Sequence, residues 1–182
     1  MATTLEQIAR YLDERKWTYE VDSENDRIIT GVRAENVERF LLAIALREDG
    51  EYFSLAAPQL LNVREHIYKG VLFQTLLALS WQVKMVRWEY NPMDGEIRAA
   101  IELPLEDNTL TQRQFERCLD GLIYLVDSVA MPRLLAVLET GTDPGEAELG
   151  ERLLLALQEM WPAGALTHLE KALAARKQRG VR

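Results

Sequence analysis

The segment between Gln82 and Met131 constrains the fold of this chain more than any other. It contains two stretches of alternating apolar and polar residues, VKMVRWEY and EIRAAIELPL, separated by the turn sequence NPMDG. An Asp-Gly turn between alternating stretches is a strong signal for a β-hairpin. A helical apolar pattern follows from Thr111. The sequence therefore predicts an antiparallel hairpin, packed on one face and partly solvated on the other, that leads into a helix.

Composition and charge limit the functional classes. Apolar residues make up 48% of the 182 residues, which is enough for a buried core. The formal net charge of −8 argues against general binding to a phosphate backbone. The N-terminus does not resemble a signal peptide, and the most apolar stretch, residues 71–81, is shorter than the roughly 20 residues of a membrane span. We expect a soluble cytoplasmic protein with no membrane or nucleic-acid partner.

The N-terminal part predicts one helix and two strands. Thr4 with Gln7 fits a capping box for the first helix, which should fade near Lys16. Residues 17–21 and 27–32 are rich in β-forming types and flank a polar turn. Together they predict the first pair of strands.

A second hairpin is predicted over residues 40–57. The stretch 40–46 is also compatible with a helix, but the turn after it contains Gly50, a position suited to positive φ, and residues 52–57 resemble a returning strand. Pro58 is expected to end that strand.

Two further helices are predicted on either side of the opening hairpin. Asn62 with Glu65 can cap one that reaches about Ser80 and is apolar almost all round. Thr111 with Gln114 can cap the other, which Pro132 should stop or kink. The best linker is TGTDPG, residues 140–145, with two leucine-striped helices beyond it. The predicted domains are therefore 1–140, an α+β domain, and 141–182, a helical extension packed on it.

Residue types that carry chemistry are present without a recognisable arrangement. His66 and His168 lack the spacing of metal ligands. Cys118 is expected inside a helix as an inert thiol. The serines, glycines and carboxylates match no nucleophile, phosphate-loop or paired-acid pattern. We predict no catalytic, cofactor-binding or metal-binding residues.

Aromatic and apolar side chains provide a candidate protein-contact surface. Trp88, Tyr90 and Val86 share one face of a predicted strand, and Phe73 and Leu77 lie on sides of the second helix that one sheet would not cover. If this chain covers both sheet faces, the strand residues are core. Otherwise they form an exposed strip for a protein partner, since aromatic residues are enriched at interface hot spots.

The C-terminus is basic while the rest of the chain is acidic. From Glu170 onward the segment contributes +4, which leaves −12 for the residues before it. A solvated terminus is the ordinary interpretation, and a contact with an acidic partner is the alternative.

The order and content of these blocks resemble the YbjN-type family, which has a type III secretion chaperone-like fold. The carrying blocks are TLEQIARYLDERKW with WTYEV, FLLAIALREDGEYFSLAA, and WEYNPMDGEIRAAIELPLEDNTLTQRQFERCLDGLIYLVDSV. The resemblance covers about residues 1–140. It implies a bacterial α+β fold of order α-β-β-β-β-α-β-β-α with an antiparallel sheet of five to six strands, often dimeric and not enzymatic.

The leading functional hypothesis is a protein-binding, chaperone-like or regulatory module that forms a homodimer and binds an unknown protein partner. One alternative is a small-molecule-binding domain or an unrecognised enzyme, which a closed pocket with convergent polar groups would support. Another is nucleic-acid binding through the basic tail, which salt-dependent affinity would reveal.

Overall fold

Six antiparallel strands form one sheet in the order β1-β2-β3-β4-β6-β5. In a computed structural model of the protein, residues 2–160 and 164–179 are described. They divide into two units, Met1–Asp143 and Pro144–Arg182. The sheet belongs to the first unit, and its strands are β1 Tyr19–Asp22, β2 Arg27–Arg33, β3 Arg39–Arg47, β4 Tyr52–Asn62, β5 Arg87–Tyr90 and β6 Glu96–Pro104. The predicted α+β class with an antiparallel sheet is confirmed.

Four helices of the first unit accompany the sheet. They are α1 Leu5–Glu14, α2 Lys69–Gln82, α3 Gln112–Tyr124 and α4 Met131–Thr140, with a π-helical segment Leu125–Ala130 between the last two. Two of the three predicted caps are present: the Thr4 hydroxyl accepts from the Gln7 backbone N–H, and Thr111 forms a capping box with Gln114. Side-chain caps satisfy backbone donors that have no partner inside a helix, so these ends are fixed by local sequence.

The hydrophobic core lies between one face of the sheet and these helices. Alternate strand residues such as Leu42, Leu55 and Ile97 are fully buried, as the predicted alternation requires. Helical residues such as Ile8 and Phe115 cover them. The predicted apolar face of β6 is confirmed at Ile97, Ala99 and Ile101, all at most 2% exposed.

The prediction that Pro58 ends β4 is wrong. The strand continues to Asn62, with a bulge where its register against β6 shifts between Ala57 and Leu61. Proline has no N–H to give to a ladder, and it is tolerated where a bulge interrupts pairing. The strand therefore passes the proline without losing a required hydrogen bond.

The predicted cap of the second helix is also wrong. Asn62 is the last residue of β4, and its side-chain amide donates to the Asp94 carbonyl oxygen at 2.9 Å. A turn region follows, and α2 begins only at Lys69, after Tyr68, which makes no side-chain cap. Asn62 thus fixes the β5–β6 turn instead of starting a helix.

The first predicted hairpin strand is shorter than expected. Val83 follows the end of α2, and Met85 has a φ of 71°. The Val86 N–H donates to the Lys84 carbonyl oxygen at 2.9 Å across it, which is a γ-turn. The strand β5 therefore begins at Arg87. The turn itself is confirmed, with Gly95 at φ 85°.

Pro132 does not stop the third helix. The helical run continues to Thr140, with Pro132 in the first turn of α4, where its missing N–H has little cost. The change in the helical hydrogen-bond pattern occurs in the π-helical segment immediately before α4.

This run, Gln112–Thr140, is 29 residues long and apolar enough to cross a membrane by length and composition alone. Within the protein, 44% of its most apolar window is buried. Phe115, Leu119 and Leu134 in this run belong to the core. Buried core helices have this composition, and we interpret the run as one.

The second unit contains α5 Pro144–Met160 and α6 Ala165–Arg179. Pro144 is the first residue of α5, a position that suits proline because its missing N–H has no partner inside a helix there. Among its described side chains, Leu149, Leu153 and Leu173 are each more than half exposed. The expected end of α5 at Trp161 and Pro162 lies outside the described residues. That the extension packs on the α+β domain stays a prediction.

Candidate functional site

Helix α2 is unusual because it is almost uncharged yet partly exposed. Lys69 is its only charged residue among 14. Its buried residues are Leu72, Thr75, Leu76 and Leu79, and they pack toward the core. A solvent-facing helix side normally carries charged residues, so the uncharged outer side of α2 is exceptional.

Three large side chains form a ridge on that outer side, named here the α2 ridge: Phe73, Leu77 and Trp81. They are four residues apart, a spacing that places them on one helix face. Leu77 is 73% exposed and Trp81 is 91% exposed. Scattered exposed apolar residues are ordinary, whereas a continuous row of large uncharged side chains is less common on a protein surface.

The ridge is joined to the sheet edge through an aromatic pair. The rings of Phe73 and Tyr90 are tilted by 57°, with their centroids 4.8 Å apart. Tyr90 lies on β5, the last strand in the sheet order. Tilted aromatic pairs at this distance are favourable beyond their area burial. The contact therefore fixes the start of the ridge against the edge strand.

The structure divides the five predicted contact residues into two groups. Val86 is only 8% exposed, and Trp88 and Tyr90 are half-buried against the core, opposite Ala99 and Ile97. Phe73 and Leu77 lie on the ridge, and Leu77 is the most exposed of the five. The assignment of these residues to protein contact stays a prediction.

Trp81 belongs to this surface and was absent from the predicted set. Its spacing of four residues from Leu77 was the available signal. The predicted helix ends near Ser80, so Trp81 falls outside it, whereas α2 continues to Gln82. In addition, the Trp88 ring N–H is buried without a hydrogen-bond partner among the described residues.

The opposite face of the sheet carries a network of ion pairs near β5. Arg87 contacts Glu89 at 2.6 Å and Glu102 at 2.7 Å. Glu89 also accepts from Arg98, and the Tyr52 hydroxyl donates to Glu102 at 2.9 Å. Burial raises the pKa of Glu89, but hydrogen bonds from Arg98 and Arg87 outweigh it and lower the pKa overall. These carboxylates are charge-balanced surface groups.

The side chains that could act in catalysis or bind a metal have ordinary surroundings. Cys118 is 1% exposed, and burial raises the pKa of its thiol, which keeps it neutral. His66 lies in the turn before α2, where its Nδ1 accepts from the Tyr68 N–H at 3.2 Å. Within the described ranges, no group of three or more His, Cys, Asp and Glu side chains is placed to hold a metal ion.

Comparison with known sequences found neither a matching family model nor a matching curated protein. Comparison with solved structures did find matches. One is YbjN from E. coli, which has been proposed to be a transcription regulator; it aligns with a TM-score of 0.56 and 14% identity over 72% of this chain and 92% of its own.

Two further solved structures align at lower TM-scores. The HopA1–SchA chaperone–effector complex gives 0.44 with 15% identity, over 64% of this chain and 84% of the matched one. The ExsC–ExsE complex gives 0.49 with 17% identity, over 70% and 92%. At such identities the likeness concerns the fold alone. The chain therefore has the YbjN-type α+β fold that the sequence resemblance predicts.

Proposed function

We propose that this protein is a soluble, non-enzymatic protein-binding module, chaperone-like or regulatory in role, that self-associates through the α2 ridge. The observation that carries the proposal is α2 itself: one charge in 14 residues, with Leu77 and Trp81 both largely in solvent. The fold likeness to YbjN supports it as an analogy of architecture.

The ridge has the energetic character of an interface. Burying a large apolar side chain contributes roughly 1.5–3 kcal/mol. A two-fold axis beside α2 would bury Leu77 and Trp81 of both copies at once, which doubles the contribution of each residue. Tryptophan is among the residue types most enriched at interface hot spots.

The test is the association state of the protein and of one double variant. Leu77→Glu with Trp81→Glu places two carboxylates on exposed positions, so the fold should persist while the interface is lost. Sedimentation velocity at micromolar concentration should give a dimer for the wild type and a monomer for this variant. The variant should keep the wild-type circular dichroism spectrum and unfold cooperatively, at a melting temperature lowered only by the loss of association.

Met93→Glu is the matched control. Met93 is 80% exposed and lies in the β5–β6 turn, outside α2. This variant should remain dimeric. A monomeric wild type, or a dimer that survives both α2 substitutions, would contradict self-association through the ridge.

The same variants address a different protein partner. Affinity capture from the native cell extract is carried out in parallel with the wild type and with the Leu77→Glu, Trp81→Glu variant. Proteins captured by the wild type alone are those whose binding depends on the ridge. A partner that is retained equally by both proteins binds elsewhere.

A further inference from the structure

A groove opens where β3 and β4 separate. The two strands are paired from Arg47 opposite Tyr52 to Ala43 opposite Ala56. Beyond this point the first residues of β3 pair only with β2, while β4 enters its bulge. The groove has a volume of about 580 Å³ and is lined by Gly31, Arg33, Val37, Leu41, Pro58 and Leu60, among others. This volume lies in the range of small-molecule sites.

The β4 side of the groove is a built bulge. Gln59 has a φ of 53°, and its backbone N–H donates to the Glu96 Oε1 atom at 2.8 Å. Pro58, immediately before it, has no N–H that could close the gap to β3. Both features favour the separated strands over a continuous ladder. The opening is therefore a feature of the folded backbone.

The opposite wall is fixed from beneath by Asp127. Its two carboxylate oxygens accept the backbone N–H groups of Glu35, Asn36 and Val37 at 3.1, 2.8 and 3.1 Å. These residues form the β2–β3 connection, and Val37 lines the groove. A wall held by three charge-assisted hydrogen bonds is organised before any ligand arrives, which reduces the entropy cost of binding.

Two arginines lie at one end of this groove. Arg33 and Arg39 are directly opposite each other on β2 and β3, and both are exposed. Within the described part of the chain, neither has an acidic group at ion-pair distance, although Glu35 and Glu38 lie in the loop that joins them. Like charges facing across strands destabilise a sheet.

We propose that this groove binds a small amphipathic carboxylate. The apolar chain would lie along Gly31, Leu41 and Leu60, and the carboxylate would lie between Arg33 and Arg39. An anion there relieves the repulsion between the two guanidinium groups, and planar guanidinium groups match carboxylates well. This site goes beyond the proposed protein-binding function, and no residue of the α2 ridge belongs to it.

Decanoate, below its micelle-forming concentration, is the probe. Calorimetric titration should show saturable binding of decanoate to the full chain, and amide chemical shifts should change in β2, the start of β3 and the β4 bulge. Decylamine has the same tail with the opposite charge and should not bind. Equal binding of decylamine, or shift changes confined to other regions, would overturn the proposal, as would no binding at millimolar decanoate.

Two variants separate the contribution of the charges from that of the groove volume. Arg33→Gln with Arg39→Gln should weaken decanoate binding by roughly tenfold or more. Gly31→Leu should abolish decanoate binding, because the leucine side chain would fill the groove. The fold should accept this substitution, since a Cβ on Gly31 meets no atom within 4 Å. Neither variant should melt below the wild type, because the first removes the repulsion between Arg33 and Arg39 and the second adds a side chain in open space. Both should keep the wild-type association state.

Arg47→Gln is the matched control, an exposed arginine at the other end of β3. It should bind decanoate like the wild type. An equal loss in this control would show that general surface charge, not the groove, attracts the anion. Tighter binding of a short acidic, apolar peptide than of decanoate would overturn the assignment to a small ligand.

Discussion

Asp127 is the residue whose role is clearest in the structure. It is 5% exposed and lies in the π-helical segment, with its carboxylate directed at three backbone donors of the β2–β3 loop. π-helical turns rotate the following residues relative to an α-helix, which places a side chain where the regular helix would not. The sequence alone offered no sign of this contact, because it joins residues about 90 positions apart.

Replacing Asp127 with asparagine should destabilise the protein by about 2 kcal/mol, because one oxygen acceptor becomes an N–H₂ donor facing backbone donors. The urea unfolding midpoint at neutral pH measures this. Asp107→Asn, at an exposed turn position, is the control and should change nothing measurable.

The pH dependence of that difference has a defined sign. Burial raises the pKa of Asp127, but the N–H groups of Asn36, Glu35 and Val37 lower it more, so it lies below the ordinary value of 3.8. The stabilisation is complete above the ordinary pKa and is lost as the pH falls through the lower, folded-state pKa. The gap between wild type and Asp127→Asn should thus be constant at neutral pH and close only below about pH 4. A gap that closes near pH 6 would contradict this assignment.

At the scale of elements, the β5–β6 turn provides a stringent test. Gly95 has a φ of 85°, and a Cβ there would lie 2.4 Å from the Arg64 Cβ and 2.6 Å from its backbone nitrogen. Gly95→Val should therefore cost more than the roughly 1 kcal/mol of a typical substitution. Gly31→Val, in open space on β2, is the control. Equal urea midpoints for both variants would refute the close approach at Gly95.

Elements with local signals were predicted correctly, and those fixed by distant contacts were not. Thr4 and Thr111 carry their capping partners three residues away, so their helices follow from short sequence windows. Asn62 has the same capping chemistry, but its amide bonds to Asp94, 32 positions later. Pro58 likewise depends on a bulge that the β6 register determines.

The candidate surfaces show the same limit. The apolar character of α2 is evident from its composition, which is enough to predict Leu77 as a contact residue. The exposure of Trp81 required the true end of the helix, and the burial of Val86 required the γ-turn at Met85. The Arg33–Arg39 pair required the β2–β3 register. None of these follows from a pattern within one segment.

At the scale of the whole molecule, the first unit should fold without the second. Every described residue of the hydrophobic core lies between Ile8 and Val137. A buried ion pair closes the unit: Arg133 contacts Asp143 at 2.5 Å, and the Thr75 hydroxyl donates to Asp143 at 3.0 Å. The core and its closing contact are therefore both contained within the first 143 residues.

A chain of residues 1–143 should accordingly unfold in a single cooperative transition, followed by circular dichroism. Its melting temperature also measures the expected packing of the helical extension. A value within about 4 °C of the full chain indicates little packing energy, and a larger fall supports packing on the α+β domain. Loss of cooperative unfolding would contradict the independence of the unit.

The strand order also determines how the sheet can assemble during synthesis. Strands β1 to β4 pair with their neighbours in sequence, so they can form as soon as they leave the ribosome. Strand β6 then has to enter between β4 and β5, which leaves the outer edge of β4 unpaired until about forty further residues have been made. At the usual synthesis rates this lasts roughly two to eight seconds. During that interval the nascent chain presents an open β edge, and this is the stage at which it most needs protection from aggregation.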